Sequence, residues 1–131
     1  MSVGVDNELT LYADGTNIWH KLGWTSEVRT ASLLQACVLS VVALNYVNAS
    51  QAGIILSAGD DVISDTSWKC NSQEEEGWML YWFNDEQWEA ATLLGVNGVG
   101  PWGAVNDVSV NAHWIWSTTY WNPVYCRKVV C

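Results

Sequence analysis

The residues with the most sharply defined chemistry are four cysteines, Cys37, Cys70, Cys126 and Cys131. No C-x-x-C pair occurs and both histidines stand alone, so their spacing argues against a zinc site. Disulfides are the better interpretation, and they indicate an oxidising compartment. Cys126 and Cys131 would face opposite ways on an extended strand, so we do not expect them to pair with each other. The remaining connectivities stay open, as does a bond to a second chain.

Catalysis is not predicted, although the chain is rich in carboxylates. Glycosidases use a pair of acidic residues, but nothing in the sequence singles out a pair among the 14 Asp and Glu. His20 and His113 have no neighbouring serine or cysteine motif that would indicate a triad. There is no glycine-rich phosphate loop followed by a helix. We therefore expect a binding or structural protein rather than an enzyme.

Charge and composition narrow the class of ligand. The formal net charge is -9, which argues against nucleic acid and against an anionic membrane surface. It suits a cation such as calcium, or a neutral polar ligand. The longest apolar run, residues 33–44, is too short to insert across a bilayer. The ten tryptophans can fill a core or stack on the C–H face of a sugar. We expect most of them in or near the core and one or two at a ligand site.

Two features bear on the compartment. Residues 48–50, Asn-Ala-Ser, form a glycosylation sequon, which agrees with a secreted, extracellular protein. Met1 is followed by polar residues and glycine rather than by a signal peptide, so the expectation is a mature or recombinant form. Whether Asn48 carries a glycan is left open.

Short apolar runs alternate with Gly, Asn and Asp turns along all 131 residues, which predicts a single all-β sandwich domain over 1–131. In the opening segment, Val5 to Gly15, Leu9 and Leu11 alternate with polar residues, and Asp14-Gly15 supplies a hairpin turn. Residues 38–44 are apolar on both faces, so a central strand is favoured over a helix by their β-branched content.

Further strands are predicted at 53–58, 113–116 and 124–130. Trp114 and Trp116 share one strand face, for which the core is the better interpretation. Residues 71–77 are predicted to be a polar loop whose three glutamates face solvent. Residues 83–92 form a loop or short helical turn that anchors Trp88, and the glycine-rich stretch 95–103 is an irregular crossing.

Five segments resemble, in order, the motifs of one family: Asp6 to Gly15, Val38 to Asn45 with Ala52 to Ile54, Ser64 to Lys69, Phe83 to Ala91, and Gly95 to Gly103. The family is the galactose-binding-like jelly-roll domain, of the carbohydrate-binding module type that accompanies bacterial α-L-rhamnosidases. The resemblance covers nearly the whole chain and implies a jelly-roll β-sandwich. It implies function less directly, because this fold hosts many binding tasks.

One departure concerns order. Segments similar to 112–116 and 124–128 open the family's domain, whereas here they come last. The chain therefore resembles a circular permutation, or one unit cut from a tandem array. We expect residues 124–130 to pair beside the strand that begins near Val3, either within the chain or in a neighbour, because the termini of compact domains often lie close together.

The resemblance implies a site as well. In the family, calcium bridges the protein to sugar hydroxyls, and the matching pair here is Asp6-Asn7. A carboxylate and amide oxygens are suitable hard ligands for calcium. Asn45 would add an amide oxygen and Trp24 would stack on the sugar ring, with the backbone near Ser50 and Gln51 at the rim. The family's proline at that rim is missing here.

Each of these residues has a structural alternative. Asp6-Asn7 is also ordinary turn chemistry, Asn45 a loop cap and Trp24 a packing residue. Asp60 and Asp61 could hold a second cation, but a solvated acidic turn is favoured.

Two functions remain. The first is a lectin-like module for a mono- or oligosaccharide or a glycoconjugate, calcium-assisted, with rhamnose- or galactose-like sugars as ligands. The second is an extracellular structural or adhesive domain that binds no sugar. A homo-oligomer would suit a lectin, because linked weak sites gain avidity.

Overall fold

The computed structural model describes residues 1–23, 27–28, 36–46, 52–59, 61–100, 102–117 and 122–131. These residues form twelve β-strands and no helix, and so contain no helix that could cross a bilayer. In chain order the strands are β1 Ser2–Asp6, β2 Glu8–Ala13, β3 Thr16–Leu22, β4 Glu27–Val28, β5 Val38–Leu44, β6 Gly53–Ala58, β7 Val62–Ile63, β8 Lys69–Asn71, β9 Glu89–Ala90, β10 Thr92–Val96, β11 His113–Trp116 and β12 Val124–Val129.

The strands form two antiparallel sheets, which confirms the predicted all-β sandwich. The first sheet has the order β10-β11-β6-β1-β4, with β7 also paired to β6. The second has the order β3-β2-β5-β12-β8-β9. Their inner faces share one apolar core, in which Val3 and Ile54 of the first sheet join Leu11 and Val41 of the second. Period-two alternation produces such a core, since successive side chains point to opposite faces of a strand.

The opening segment was predicted as one strand and is two. β1 lies between β4 and β6 in the first sheet, whereas β2 lies between β3 and β5 in the second. The chain therefore crosses from one sheet to the other at Asp6-Asn7. Within β2 the predicted alternation is confirmed, because Leu9 and Leu11 are fully buried. The predicted hairpin is also confirmed: Asp14 and Gly15 both have positive φ, as a two-residue type I′ turn requires.

The two central strands are confirmed with their predicted bounds. β5 pairs with β2 and β12, so the strand interpretation of residues 38–44 is correct and the helical one is wrong. β6 pairs with β1, β7 and β11. The irregular crossing predicted at 95–103 starts later in the sequence than predicted, because Gly95 still belongs to β10. β10 pairs with β11 through a register shift between Leu93 and Gly95.

Within the chain, the final strand does not pair with β1 as predicted. β12 pairs with β5 along Val124 to Val129 and with β8 at its centre. It shares a sheet with Leu9 and Leu11 but is separated from their strand by β5. The sheet order decides this outcome, because a C-terminal strand near the N-terminus can join either sheet of a sandwich.

All four cysteines are paired within the chain, as Cys37–Cys131 and Cys70–Cys126. The expectation that Cys126 and Cys131 avoid each other is confirmed. The open alternative of a bond to a second chain is wrong, because no cysteine is free. The two disulfides agree with an oxidising, extracellular compartment.

Loops rich in tryptophan cover the outer face of each sheet. On the first sheet, Trp102 stacks on Trp114 with ring centroids 4.2 Å apart. On the second, Trp78 stacks on Trp88 and meets the edge of Tyr125 on β12. The predicted burial of Trp88, Trp114 and Trp116 is confirmed. Each sheet therefore packs side chains on its outer face as well as on the inner face that forms the core. This accounts for the six buried tryptophans among the described residues.

Candidate ligand-binding site

The crossing between the sheets places Asp6 and Asn7 at one end of the sandwich. The Asn7 amide donates to the carbonyl of Leu44 over 2.9 Å, and the Gly23 amide donates to the carbonyl of Asn7 over 2.9 Å. Asn7 is therefore held between the end of β5 and the end of β3. The backbone of Asn7, which joins β1 to β2, is therefore fixed by hydrogen bonds to two other segments of the chain.

The Asp6 carboxylate is oriented by a packed indole ring. Trp102 Nε1 donates to Asp6 Oδ2 over 3.0 Å. The Trp102 ring packs against Trp114 and against Gly53 of β6. A Cβ at Gly53 would lie 3.0 Å from Trp102 and 2.7 Å from Trp114. Asp6 Oδ1 has no hydrogen-bond donor among the described residues. One carboxylate oxygen is thus fixed and the other is available to a ligand.

The structure brings Asn7 and Asn45 together. The backbone amide of Tyr46, next to Asn45, donates to Asn7 Oδ1 over 2.8 Å. The backbone of Asn45 is clamped by Asn122, whose Oδ1 accepts from the Asn45 amide and whose Nδ2 donates to the Asn45 carbonyl. The Asn7 side-chain oxygen therefore bonds the backbone of a segment 39 residues further along the chain, not the local backbone that the turn interpretation implies. A second lone pair on that oxygen remains for another donor or a cation.

Several other residues named from the sequence lie outside the described residues. These are Trp24, Asn48, Ser50, Gln51 and Asp60. Asp61 is described and lies just before β7, consistent with a turn.

Sequence reasoning missed a polar network beside Asn7. The Glu8 carboxylate accepts from the Tyr46 hydroxyl and pairs with His20 Nε2. Thr10 lies opposite His20 in the register, so Glu8 and His20 are diagonal neighbours on one face of the β2–β3 hairpin. Tyr46 follows β5, whose Leu44 pairs with Glu8. Only the strand register reveals this proximity, because the three residues are far apart in sequence.

The network shifts two titrations. The Tyr46 hydroxyl, and then His20, hold the pKa of the Glu8 carboxyl below its usual value. In return, the Glu8 carboxylate raises the pKa of Tyr46. Tyr46 itself is 63% exposed, so it stands at the rim where a ligand could meet its ring.

These groups could support a cation only with the help of neutral oxygens. No group of three or more His, Cys, Asp or Glu side chains is close enough to hold a metal ion in the described part of the chain. Calcium accepts amide and carbonyl oxygens beside carboxylates, usually six to eight in all. Asp6, Asn7 and Asn45 carry oxygens of both kinds, but a cation here would need water or sugar hydroxyls to complete its shell.

Tyr46→Phe is expected to raise the pKa of Glu8 toward its ordinary value, because the largest cause of its depression is removed. A carboxyl with a depressed pKa stabilises the fold above its unfolded pKa, and this contribution is lost as pH falls through the folded pKa. The variant should therefore lose a small part of its stability at neutral pH and little below the folded pKa of Glu8. Side-chain carboxyl NMR against pH measures the shift. Tyr81→Phe, at another exposed tyrosine, should leave Glu8 unchanged, and an unchanged Glu8 titration in the Tyr46 variant would contradict the network.

Comparison with known proteins gives one short local similarity. A stretch of 53 residues is 40% identical to an α-L-rhamnosidase from Streptomyces avermitilis. The match spans 40% of this chain and 5% of the length of that enzyme. No protein-family model matches the chain, and no solved structure matches it.

Proposed function

We propose that this domain is a carbohydrate-binding module of the jelly-roll type that carries out no catalysis itself. The observation that carries the proposal is the match to an α-L-rhamnosidase on a chain that folds as a β-sandwich. That enzyme acts on a sugar, and a 5% share of its length is a small part of its architecture. A shared accessory binding unit accounts for a similarity of this extent, and the sandwich fold is a common scaffold for one.

The proposed sugar site is the end of the sandwich around Asp6-Asn7. Sugars are bound through hydroxyl groups, which both donate and accept hydrogen bonds. Asp6 Oδ1 has no donor among the described residues, and the Glu8 carboxylate is held in place by Tyr46 and His20. Tyr46 offers an exposed ring for the apolar face of a sugar. Asn45 and Trp24 complete the proposed contacts, with rhamnose- or galactose-like sugars as ligands.

Calcium is proposed to assist at the same place. Asp6, Asn7 and Asn45 would supply its protein oxygens, and vicinal sugar hydroxyls would fill the open positions. The net charge of -9 favours retention of a divalent cation. Any homo-oligomer of the module would be non-covalent, since all four cysteines are paired within the chain.

A structural or adhesive role is the second candidate. The Asn7 side chain already accepts from Tyr46, and Asn122 already clamps the Asn45 backbone. These bonds stabilise the end of the sandwich without a ligand. In an extracellular domain held by two disulfides, a purely structural role accounts for these hydrogen bonds without a sugar.

A glycan array, run with calcium and with a chelator, separates the two candidates. Asp6→Asn is the matched variant, because an amide oxygen can still accept from Trp102 Nε1 while the charge is removed. We expect binding of a rhamnose- or galactose-containing glycan, weakened about tenfold or more by the chelator and by Asp6→Asn, roughly the loss of one charge-assisted contact. Binding that survives chelation would remove calcium from the proposal. No binding in either condition would leave the structural role.

A further inference from the structure

Three consecutive exposed apolar side chains stand on the loop over the outer face of the second sheet. Leu80 is 36% exposed, Tyr81 60% and Trp82 69%. Most large apolar side chains of a folded domain are at least partly covered. A run of this kind on one loop marks a contact surface.

The loop is held rigidly from below by Arg127 of β12, which is 1% exposed. Its Nε donates to the carbonyl of Trp78 over 2.8 Å, and one terminal nitrogen donates to the carbonyl of Leu80 over 2.9 Å. Its other terminal nitrogen pairs with the Asp85 carboxylate. The guanidinium carbon also lies 5.3 Å from the centre of the Phe83 ring. The exposed side chains are therefore presented by a fixed backbone.

Trp82 is positioned as well as exposed. A Cβ at Gly77 would lie 2.3 Å from the Trp82 ring, so the ring rests against a residue that has no side chain. Gly77 also has φ +79°, which favours glycine. Leu80 rests in the same way on the β2–β3 turn, 3.3 Å from where a Cβ of Gly15 would be. No aromatic side chain stacks on Trp82 within the described part of the chain.

Beside this ring lies an open cavity of about 570 Å³, walled by Glu74, Glu76, Gly77 and Trp78 among others. This volume is in the range of small-molecule sites, roughly 300–1,000 Å³. Both glutamates are exposed and can accept hydrogen bonds. Trp82 is not itself a wall residue, but its ring meets the wall at Gly77. The cavity thus offers the hydrogen-bond acceptors of the glutamates next to an exposed apolar ring.

We propose that this surface, the Trp82 platform (Gly15 and residues 74–82), is a second carbohydrate-binding site. Trp82 stacks on the C–H face of a neutral sugar ring, and Glu74 and Glu76 accept from its hydroxyls. The platform lies at the opposite end of β2 from Asp6-Asn7, and β2 alone is about 17 Å long by the rise of the strand. It needs no calcium, and it stands whether or not the first site binds sugar.

The charge of the cavity bears on the class of ligand. No lysine or arginine lines the cavity, so an anionic ligand would face only the repulsion of the glutamates. A cation could pair with the glutamates and lie over Trp82, and it is the rival that the experiment must separate. A neutral sugar uses the same groups differently, because its hydroxyls donate to the glutamates while its C–H face covers the exposed indole ring of Trp82.

Indole N–H signals in two-dimensional NMR test the platform directly. Neutral tetrasaccharides of gluco-, galacto-, manno- and rhamno-configuration are added at about 10 mM, which detects sites of millimolar affinity, with EDTA present throughout. We expect at least one of them to shift the Trp82 indole signal and the backbone amides of 74–77. Trp82→Ala should weaken that sugar about tenfold, or about 1.4 kcal/mol. Val110→Ala, at another exposed apolar side chain, should leave it unchanged.

Two further measurements separate this proposal from its rivals. Asp6→Asn should have no effect on binding at the platform, so failure of the first site and failure of this one are distinct results. Tetralysine serves as a cationic probe. The proposal is overturned if no tetrasaccharide shifts the Trp82 signal, or if tetralysine shifts it and the sugars do not.

Discussion

Replacing Arg127 with methionine is expected to lower the free energy of unfolding by roughly 2–4 kcal/mol, because two buried carbonyls lose their charged donor at about 1–3 kcal/mol each. Arg127 is almost fully buried and donates to Trp78, Leu80 and Asp85. Methionine fills a similar volume but donates to none of them. The two carbonyls would stay beneath the loop without their charged donor, and an unsatisfied buried acceptor is costly.

Urea denaturation followed by tryptophan fluorescence measures this effect. Arg127→Lys is the matched control, since it keeps the charge but cannot reach three acceptors from one planar group; its loss should be intermediate. Asp85→Asn should cost less than Arg127→Met, because the Asp85 side chain is 24% exposed and can be rehydrated. A loss below about 1 kcal/mol for Arg127→Met, no more than an ordinary hydrogen bond, would mean that the loop is not held by this arginine. Arg127 would then not be what keeps the Trp82 platform on that loop rigid.

Removing the Cys70–Cys126 disulfide is expected to destabilise the fold by about 4 kcal/mol, from the entropy of closing a loop of this length. The bond joins residues 56 apart in sequence, and both cysteines are fully buried. It links β8 to β12 at a paired position in the second sheet. Replacing both cysteines with alanine therefore loses core packing as well as the cross-link.

The Cys37–Cys131 bond is the natural comparison. It closes a longer loop, with a separation of 94 residues, but Cys131 is exposed and Cys37 only half-buried. Loop entropy alone would rank its removal as the more costly of the two, whereas packing reverses the order. We expect Cys70→Ala/Cys126→Ala to have the lower Tm of the two double variants by calorimetry, and mild reductant to open Cys37–Cys131 first. The reverse ranking would show that chain entropy dominates and that the buried sulfurs contribute little to packing.

Local sequence pattern determined β2, β5, β6, β11 and β12, but it did not predict β3, β4, β7, β8, β9 or β10. The alternation around Leu9 and Leu11, the apolar run of β5 and the Asp14-Gly15 turn each depend on neighbouring residues only. For this reason they were predicted correctly, as was the burial of Trp114 and Trp116. The all-β class follows from the same signals repeated at short intervals.

The candidate site was predicted in part. Asn7 and Asn45 were named on a resemblance, and the pairing of Glu8 with Leu44 brings them together. Glu8, Tyr46 and His20 were missed, because their contact depends on the register of three strands. The role of Trp102 in orienting Asp6 was missed too, since the two residues are 96 positions apart.

Only the tertiary structure decided the remaining features. It split the opening segment at Asp6-Asn7 between two sheets, chose the disulfide pairs, placed β12 against β5 and buried Arg127 beneath the loop of Trp82. Each of these depends on which distant strands become neighbours. A strand's own residues specify which face is apolar, but they do not specify the partner that will cover it. That choice is made by the packing of the whole sandwich.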